Sequence, residues 1–235
     1  MPSETTDPAL AVIIGGGGGI GSALADGLER SGNWQDVWRT TRAGKNRVDL
    51  LEEETIADLA RRIRAGSLPL RLVLVASGFL HDARYRPEKT WRHLDPEHMA
   101  KAFAINAIGP ALVMKHLLPL LPSSGQAVFA ALSARVGSIG DNRLGGWTSY
   151  RASKAALNQI IRTHSIELQR RNPDAICVAL HPGTVATSLS APFAARGLKV
   201  RSPETAATEV LSVIDRLTPA ENGAFLDQNS KSVPW

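Results

Sequence analysis

Short apolar runs recur along the chain at residues 10–14, 37–41, 70–76, 127–132, 176–180 and 224–226. Between them lie longer stretches, 19–30, 52–65, 96–120, 150–171 and 203–217, in which apolar side chains return every three or four positions. Runs that do not alternate with polar residues predict strands buried on both faces, and the 3.6-residue period predicts the helices that bury them. Strands alternating with helices give a parallel sheet with right-handed crossovers, covered on both sides. The expected fold class is α/β, a doubly wound parallel sheet in one domain, whose ligand crevice lies outside the carboxyl ends of the strands. Two irregular stretches, 78–95 and 182–201, follow strand ends and are candidates for walls or lids of that crevice.

Composition narrows the function without naming it. The 235 residues are 43% hydrophobic and 21% charged with both signs mixed, an ordinary globular balance. Residues 1–12 carry acids and prolines rather than a basic segment and a long apolar run, so they do not read as a signal peptide. No stretch is expected to span a membrane. The lone Cys177 sits in an apolar run and reads as a core residue, which fits a cytoplasmic location. A net charge of +5 permits anion binding. The pairs Arg61-Arg62 and Arg170-Arg171, however, fall near the ends of separate predicted helices, and no nucleic-acid module is present. Neither nucleic acid nor membrane is an expected partner. No histidine pair has metal-ligand spacing; His93 and His98 are five apart.

The apolar run ending at Ile14 passes directly into Gly15-Gly16-Gly17-Gly18-Gly19-Ile20-Gly21, after which a helical pattern begins. Glycines there let backbone amides approach a pyrophosphate at a helix amino terminus, so a Rossmann-like dinucleotide site is expected. At the end of the second strand, Trp38-Arg39-Thr40-Thr41-Arg42 lacks the acid that would accept the ribose hydroxyls of NAD. Arg42 offers a planar guanidinium to a 2′-phosphate, and Arg39 could contribute, so NADP(H) is favoured over NAD(H). Farther on, Tyr150 and Lys154 share one face of a predicted helix. A fixed ammonium beside a phenol favours the phenolate and is expected to lower its pKa.

Taken together, these motifs resemble the short-chain dehydrogenase/reductase family over nearly the whole chain. Gly15-x-x-x-Gly19-Ile20-Gly21 is similar to its nucleotide turn, Tyr150-Arg151-Ala152-Ser153-Lys154 to its catalytic motif, and Pro182-Gly183-Thr184-Val185-Ala186-Thr187 to its nicotinamide-side loop. Asn106 matches the helix asparagine that supports a proton relay to the lysine. Residues 134–139, Gly145-Gly146-Trp147 and the terminal Pro234-Trp235 are similar to the carbonyl-reductase-like branch of C-factor and sniffer proteins. The resemblance implies that Asp49 and Leu50 approach the adenine and that Ala76, Ser77 and Gly78 line the cofactor. It also implies that Pro182, Gly183, Val185 and Thr187 meet the nicotinamide end, and that the chain forms a homodimer through the helices bearing Asn106 and Tyr150. Two departures stand out. Ile14 replaces a threonine that braces the turn, and Leu74-Val75-Ala76 lacks an asparagine.

The function expected from this resemblance is reversible carbonyl reduction by hydride transfer, with Tyr150 as proton donor and Lys154 holding the ribose. Leu189, Ala191, Pro192, Phe193, Ala194, Ala195 and Leu198 give the second loop a composition suited to a small apolar or aromatic aldehyde or ketone. The catalytic serine is open. Strict placement of Ser133-Ala134-Arg135-Val136-Gly137 puts Ala134 at the usual site, leaving Ser133, at the strand end, favoured over Ser138. The alternative function is a non-catalytic NADP(H)-binding regulator on the same fold.

Overall fold

The computed structural model describes residues 8–190 and 200–235. Its strands are β1 (Leu10–Ile14), β2 (Asp36–Arg39), β3 (Leu70–Val75), β4 (Ala127–Leu132), β5 (Ala175–His181), β6 (Thr184–Val185), β7 (Val200–Arg201) and β8 (Phe225–Asp227). All but β6 and β7 join one parallel sheet in the order β2-β1-β3-β4-β5-β8, and β6 pairs with β7 apart from it. The chain leaves β1 for β2 on one side and returns to β3 on the other. The direction of winding therefore reverses between β1 and β3, the place where sheets of this kind take their ligands.

Alternate residues of each buried strand feed two separate cores. On one face Ala11, Ile13, Leu72 and Leu74 pack against Leu24 and Leu28 of α1 (Gly19–Ser31) and Val210 and Val213 of α6 (Pro203–Asp215). On the other, Val12, Val73, Val75 and Phe129 meet Ile56 and Leu59 of α2 (Glu53–Ala65). The same face takes Met114 of α4 (Gly109–Leu117) and Leu157 and Ile161 of α5 (Thr148–Arg171). The doubly wound sheet expected from the apolar runs is the one observed.

The stretch expected as one helix over 96–120 is compound. It runs from α3 (Pro96–Phe103) through a π-helical turn (Ala104–Ile108) into α4 and a 3-10 turn (Leu118–Leu120). Such wide turns recur at functional sites, and this one carries the fully buried Asn106. At 25 residues, with a mean hydropathy of 1.4 over its most apolar window, this run is long and apolar enough to cross a membrane, contrary to the sequence expectation. Part of its apolarity is packed inward: Val113, Met114 and Leu117 are sealed into the core. The second strand also ends earlier than the apolar run: Thr40 N still donates to Ile13 O, but Thr41 pairs only in an isolated bridge with Arg47.

Candidate functional site

The glycine turn lies at the reversal point. Gly15 is left-handed (φ 87°), a conformation that side chains resist. A Cβ on Gly15 would collide with Ser77 Oγ, one on Gly16 would sit 3.0 Å from Arg39 Cβ, and one on Gly21 would collide with the Gly15 carbonyl. Only bare backbone fits. α1 then begins at Gly19, its N-cap Gly18 offering no side-chain cap and its first turn no acidic residue. Its leading N–H groups and positive dipole end are left for an anion, so the turn fits the pyrophosphate of a dinucleotide. The brace lost with Ile14 is supplied by the residue after β2: Gly15 N donates to Thr40 Oγ1 at 3.3 Å and Gly16 N to Thr40 O at 2.9 Å. Thr40 is fully buried, and its role had no local signal in the sequence. Across the turn, Ala76 N donates to Ile14 O at 2.8 Å, which carries Ser77 alongside Gly15.

Two arginines at the adenosine end differ in state. Arg39 is bound to Asp26 at 2.7 Å and, through two nitrogens, to Glu29, and these partners raise its pKa. It clamps α1 to β2 rather than standing free. Arg42 is exposed and makes no hydrogen bond or ion pair among the described residues. Asp49 closes the turn into α2, accepting from Leu51 N at 3.0 Å, and Leu50 is buried under Gly109, where a Cβ would lie 2.6 Å away.

The third group gathers around the amino end of α5, which starts two residues before Tyr150. Lys154 is 3% exposed, and its Nζ donates to the Leu132 carbonyl at 2.7 Å where β4 ends. A Cβ on Gly78 would stand 3.8 Å from Lys154 Nζ and 3.7 Å from Asn106 Oδ1, so the asparagine and the lysine converge on Gly78. Asn106 clamps the chain beyond it: it accepts from Phe79 N at 2.7 Å and donates to Phe79 O at 2.8 Å and Ser153 Oγ at 3.0 Å. Burial pushes the Tyr150 phenol up to about 12 and pulls Lys154 down to about 8. Desolvation outweighs the lowering expected from Lys154, so the net direction at the tyrosine is up rather than down. Desolvation is the cause at both the half-buried phenol and the buried ammonium, which is turned to a backbone carbonyl.

Neither serine presents a free hydroxyl. Ser133 is 4% exposed, and its Oγ donates to Asn158 Oδ1 at 2.7 Å. Ser138 Oγ accepts from Asp141 N at 3.0 Å and faces the Trp235 carbonyl at 3.5 Å. On the far wall, Gly183 is left-handed (φ 76°) after Pro182, Val185 is buried in β6, and Thr187 lies over the first turn of α1, its methyl 3.1 Å from a Cβ placed on Gly19. Ile20 is packed against the α1 and α6 core. One contact spans the crevice: His81 Nε2–H donates to the carbonyls of Ser188 (3.2 Å) and Leu189 (3.1 Å), joining the two irregular stretches. The residues of the expected lid at 191–198 lie outside the described residues.

Comparison with known proteins agrees with this layout. A family model described as short chain dehydrogenase matches residues 9–196. C-signal of Myxococcus xanthus is 38% identical over 142 residues, covering 60% of this chain and 81% of its own length. 1-Hydroxy-2-glutathionyl-2-methyl-3-butene dehydrogenase of Rhodococcus sp. (strain AD45) is 31% identical over 193 residues, 80% of this chain and 78% of that protein. In fold, the chain is similar to carbonyl reductase Sniffer of D. melanogaster (TM-score 0.84, 22% identity, 97% of this chain and 100% of that one). It is equally similar to the NADPH-bound carbonyl reductase from chicken fatty liver (TM-score 0.84, 24% identity, the same coverage). Because the family match runs from β1 to beyond β6, and so takes in the strand ends that shape this crevice, the chain belongs to the short-chain dehydrogenase/reductase family of oxidoreductases.

Proposed function

We propose that the protein is an NADP(H)-dependent carbonyl reductase for small apolar or aromatic aldehydes and ketones. The observation that carries this reading is the convergence of Lys154 and Asn106 on Gly78, with Tyr150 one helical turn before the lysine. When bound, the nicotinamide supplies a hydride to the carbonyl carbon. Tyr150 gives its proton to the carbonyl oxygen, and a phenol pushed up to about 12 still carries that proton at neutral pH. Lys154, at about 8, is mostly charged there and stabilises the phenolate left behind.

Ser133 is the preferred second donor, since it follows Leu132, whose carbonyl holds Lys154. Turning over the Asn158 amide would bring its Nδ2, which has no partner among the described residues, to Ser133 Oγ and release the hydroxyl proton to a substrate. Arg42, exposed and unpaired among the described residues, suits the 2′-phosphate of NADP(H). The NADPH-bound chicken enzyme and a short-chain dehydrogenase/reductase of Burkholderia multivorans with bound NADP support the same cofactor. A cytoplasmic homodimer, built as one catalytic domain, completes the reading.

The test is NADPH consumption across aldehydes, ketones and quinones by wild type and Tyr150→Phe. Turnover by the wild type and its loss in the variant, with NADPH titration unchanged, is the expected result. Tight NADPH binding without turnover of any carbonyl would establish the second reading, a binding-only regulator, which the likeness to C-signal keeps in view.

A further inference from the structure

The helix that bears Tyr150 and Lys154 begins without a cap of its own. Its N-cap residue Trp147 is left-handed (φ 54°, ψ 38°) and its side chain does not cap the helix, and no acidic residue stands in the first turn. At an exposed helix end water would satisfy the leading N–H groups. Here Ser149 is fully buried. The missing acceptor comes from the irregular stretch after β3, where the Glu88 side chain is 1% exposed. Both carboxylate oxygens lie 3.3 Å from Ser149 N, Ser149 Oγ donates to the same carboxylate, and the Glu88 carbonyl accepts from Trp147 N at 2.5 Å. Gly146 (φ 65°) permits the approach, since a Cβ there would press within 3.3 Å of Glu88 O.

A buried carboxylate is costly unless paired and fully bonded. This one is held by a helix amino terminus, where negative charge is favoured, and by two donors of Ser149. Behind it, His98 Nδ1 stands 3.6 Å from Glu88 Oε1. The His98 ring stacks on Tyr85 at 5.1 Å and meets Phe79 edge-on at 5.8 Å. Phe79 is the residue whose backbone Asn106 clamps. The carboxylate therefore links the wall of the crevice to the turn of α5 from which the phenol projects.

We propose that Glu88 is a positioning residue for Tyr150, capping the catalytic helix from the loop after β3 so that the phenol is fixed against the substrate carbonyl. This rests on Tyr150 being the proton donor of a reductase. The experiment compares Glu88→Ala, Glu88→Gln and Ser149→Ala with wild type in steady-state carbonyl reduction, NADPH titration and amide hydrogen exchange over residues 147–153. Glu88→Ala is expected to lower kcat on the order of tenfold or more, with KM for the carbonyl and NADPH affinity within about twofold. Exchange at the start of α5 should quicken on the order of tenfold. Glu88→Gln should recover most of kcat, because an amide oxygen still accepts from Ser149 N.

An undiminished kcat in Glu88→Ala overturns the proposal, as does a fall that is matched by lost NADPH affinity or is not rescued by glutamine. Should Glu88→Ala not fold, Ser149→Ala decides: a several-fold lower kcat supports the proposal and a wild-type kcat overturns it. Exchange needs no turnover. A wild type that consumes no NADPH therefore overturns the reductase reading, whereas unchanged exchange in Glu88→Ala overturns the cap itself.

Discussion

Replacing Lys154 with methionine separates what the lysine does for chemistry from what its burial does to the fold. Lys154 is 3% exposed, and desolvation lowers its pKa from 10.5 to about 8. Between those values the unfolded chain binds more protons than the folded one, so wild-type stability rises with pH across that window and is lowest below it. At about 1.4 kcal/mol per pH unit, the window corresponds to ~3 kcal/mol. Methionine carries no charge and escapes that penalty at neutral pH, but it leaves the Leu132 carbonyl without its 2.7 Å donor, a loss of roughly 1–2 kcal/mol. The variant should therefore be more stable by ~1–2 kcal/mol at neutral pH, a rise in Tm of roughly 2–8 °C for a chain of this size. Above the upper end of the window the amine is neutral in both states, and the variant should become the less stable protein. Thermal melts of both proteins from about pH 6 to about pH 11 read the difference directly, with carbonyl reduction at neutral pH as the companion assay, where the variant should be inactive. A Tm difference that stays constant with pH would refute the reasoning, because it would mean that the fold does not pay for a buried ammonium.

Three further outcomes follow from the geometry of the crevice. Gly21→Ala drives a Cβ into the Gly15 carbonyl and to 3.0 Å from its carbon; at overpacking costs of about 1–3 kcal/mol, NADPH affinity should fall by about 5- to 150-fold, and near-native titration would count against the turn as the pyrophosphate site. Arg42→Ala should weaken NADPH by about tenfold or more, the worth of one charge-assisted contact, and leave NADH within about twofold; equal losses for the two would remove Arg42 from the phosphate. His81→Ala cuts the bridge to the Ser188 and Leu189 carbonyls, so limited proteolysis within 182–201 should quicken about threefold or more, and an unchanged cleavage rate would show that the bridge does not hold that wall.

The elements were readable because β1, β4 and β5 are buried on both faces and so appear as unbroken apolar runs, while α1, α2 and α6 show one apolar stripe each. The glycine turn and the Tyr150 and Lys154 pair were readable because their chemistry depends on neighbours in the chain. What escaped depends on contacts across it. Thr40 braces the turn from 25 residues away, Ser133 bonds Asn158 at the same separation, and Glu88 reaches Ser149 across 61. The π-turn escaped for a different reason: one extra residue over 104–108 is absorbed by the broad apolar face of a long helix. The net direction of the Tyr150 pKa was not readable because spacing shows which charge is near, whereas burial depends on everything packed around the pair.

Ala134 sharpens what the proposed chemistry requires. It lies in extended backbone (φ -145°, ψ 142°) directly after Ser133, and neighbouring residues in such backbone point to opposite sides. Ser133 therefore cannot stand in for a hydroxyl at position 134 by a small rotation. Its side chain continues the face of Phe129 and Ala131, the face covered by α5, and its bond to Asn158 confirms that direction. A carbonyl oxygen served by both Tyr150 and Ser133 must accordingly enter beneath α5, on the side where Lys154 reaches the Leu132 carbonyl. An oxygen approaching from the side of Ala134 would have the tyrosine as donor and a methyl group opposite. On that geometry Asn158→Leu is the informative change, because it removes the acceptor that now holds the Ser133 proton and leaves the serine in place. Faster carbonyl reduction in that variant would put Ser133 at the substrate oxygen, and an unchanged rate would leave Tyr150 as the sole proton-bearing contact.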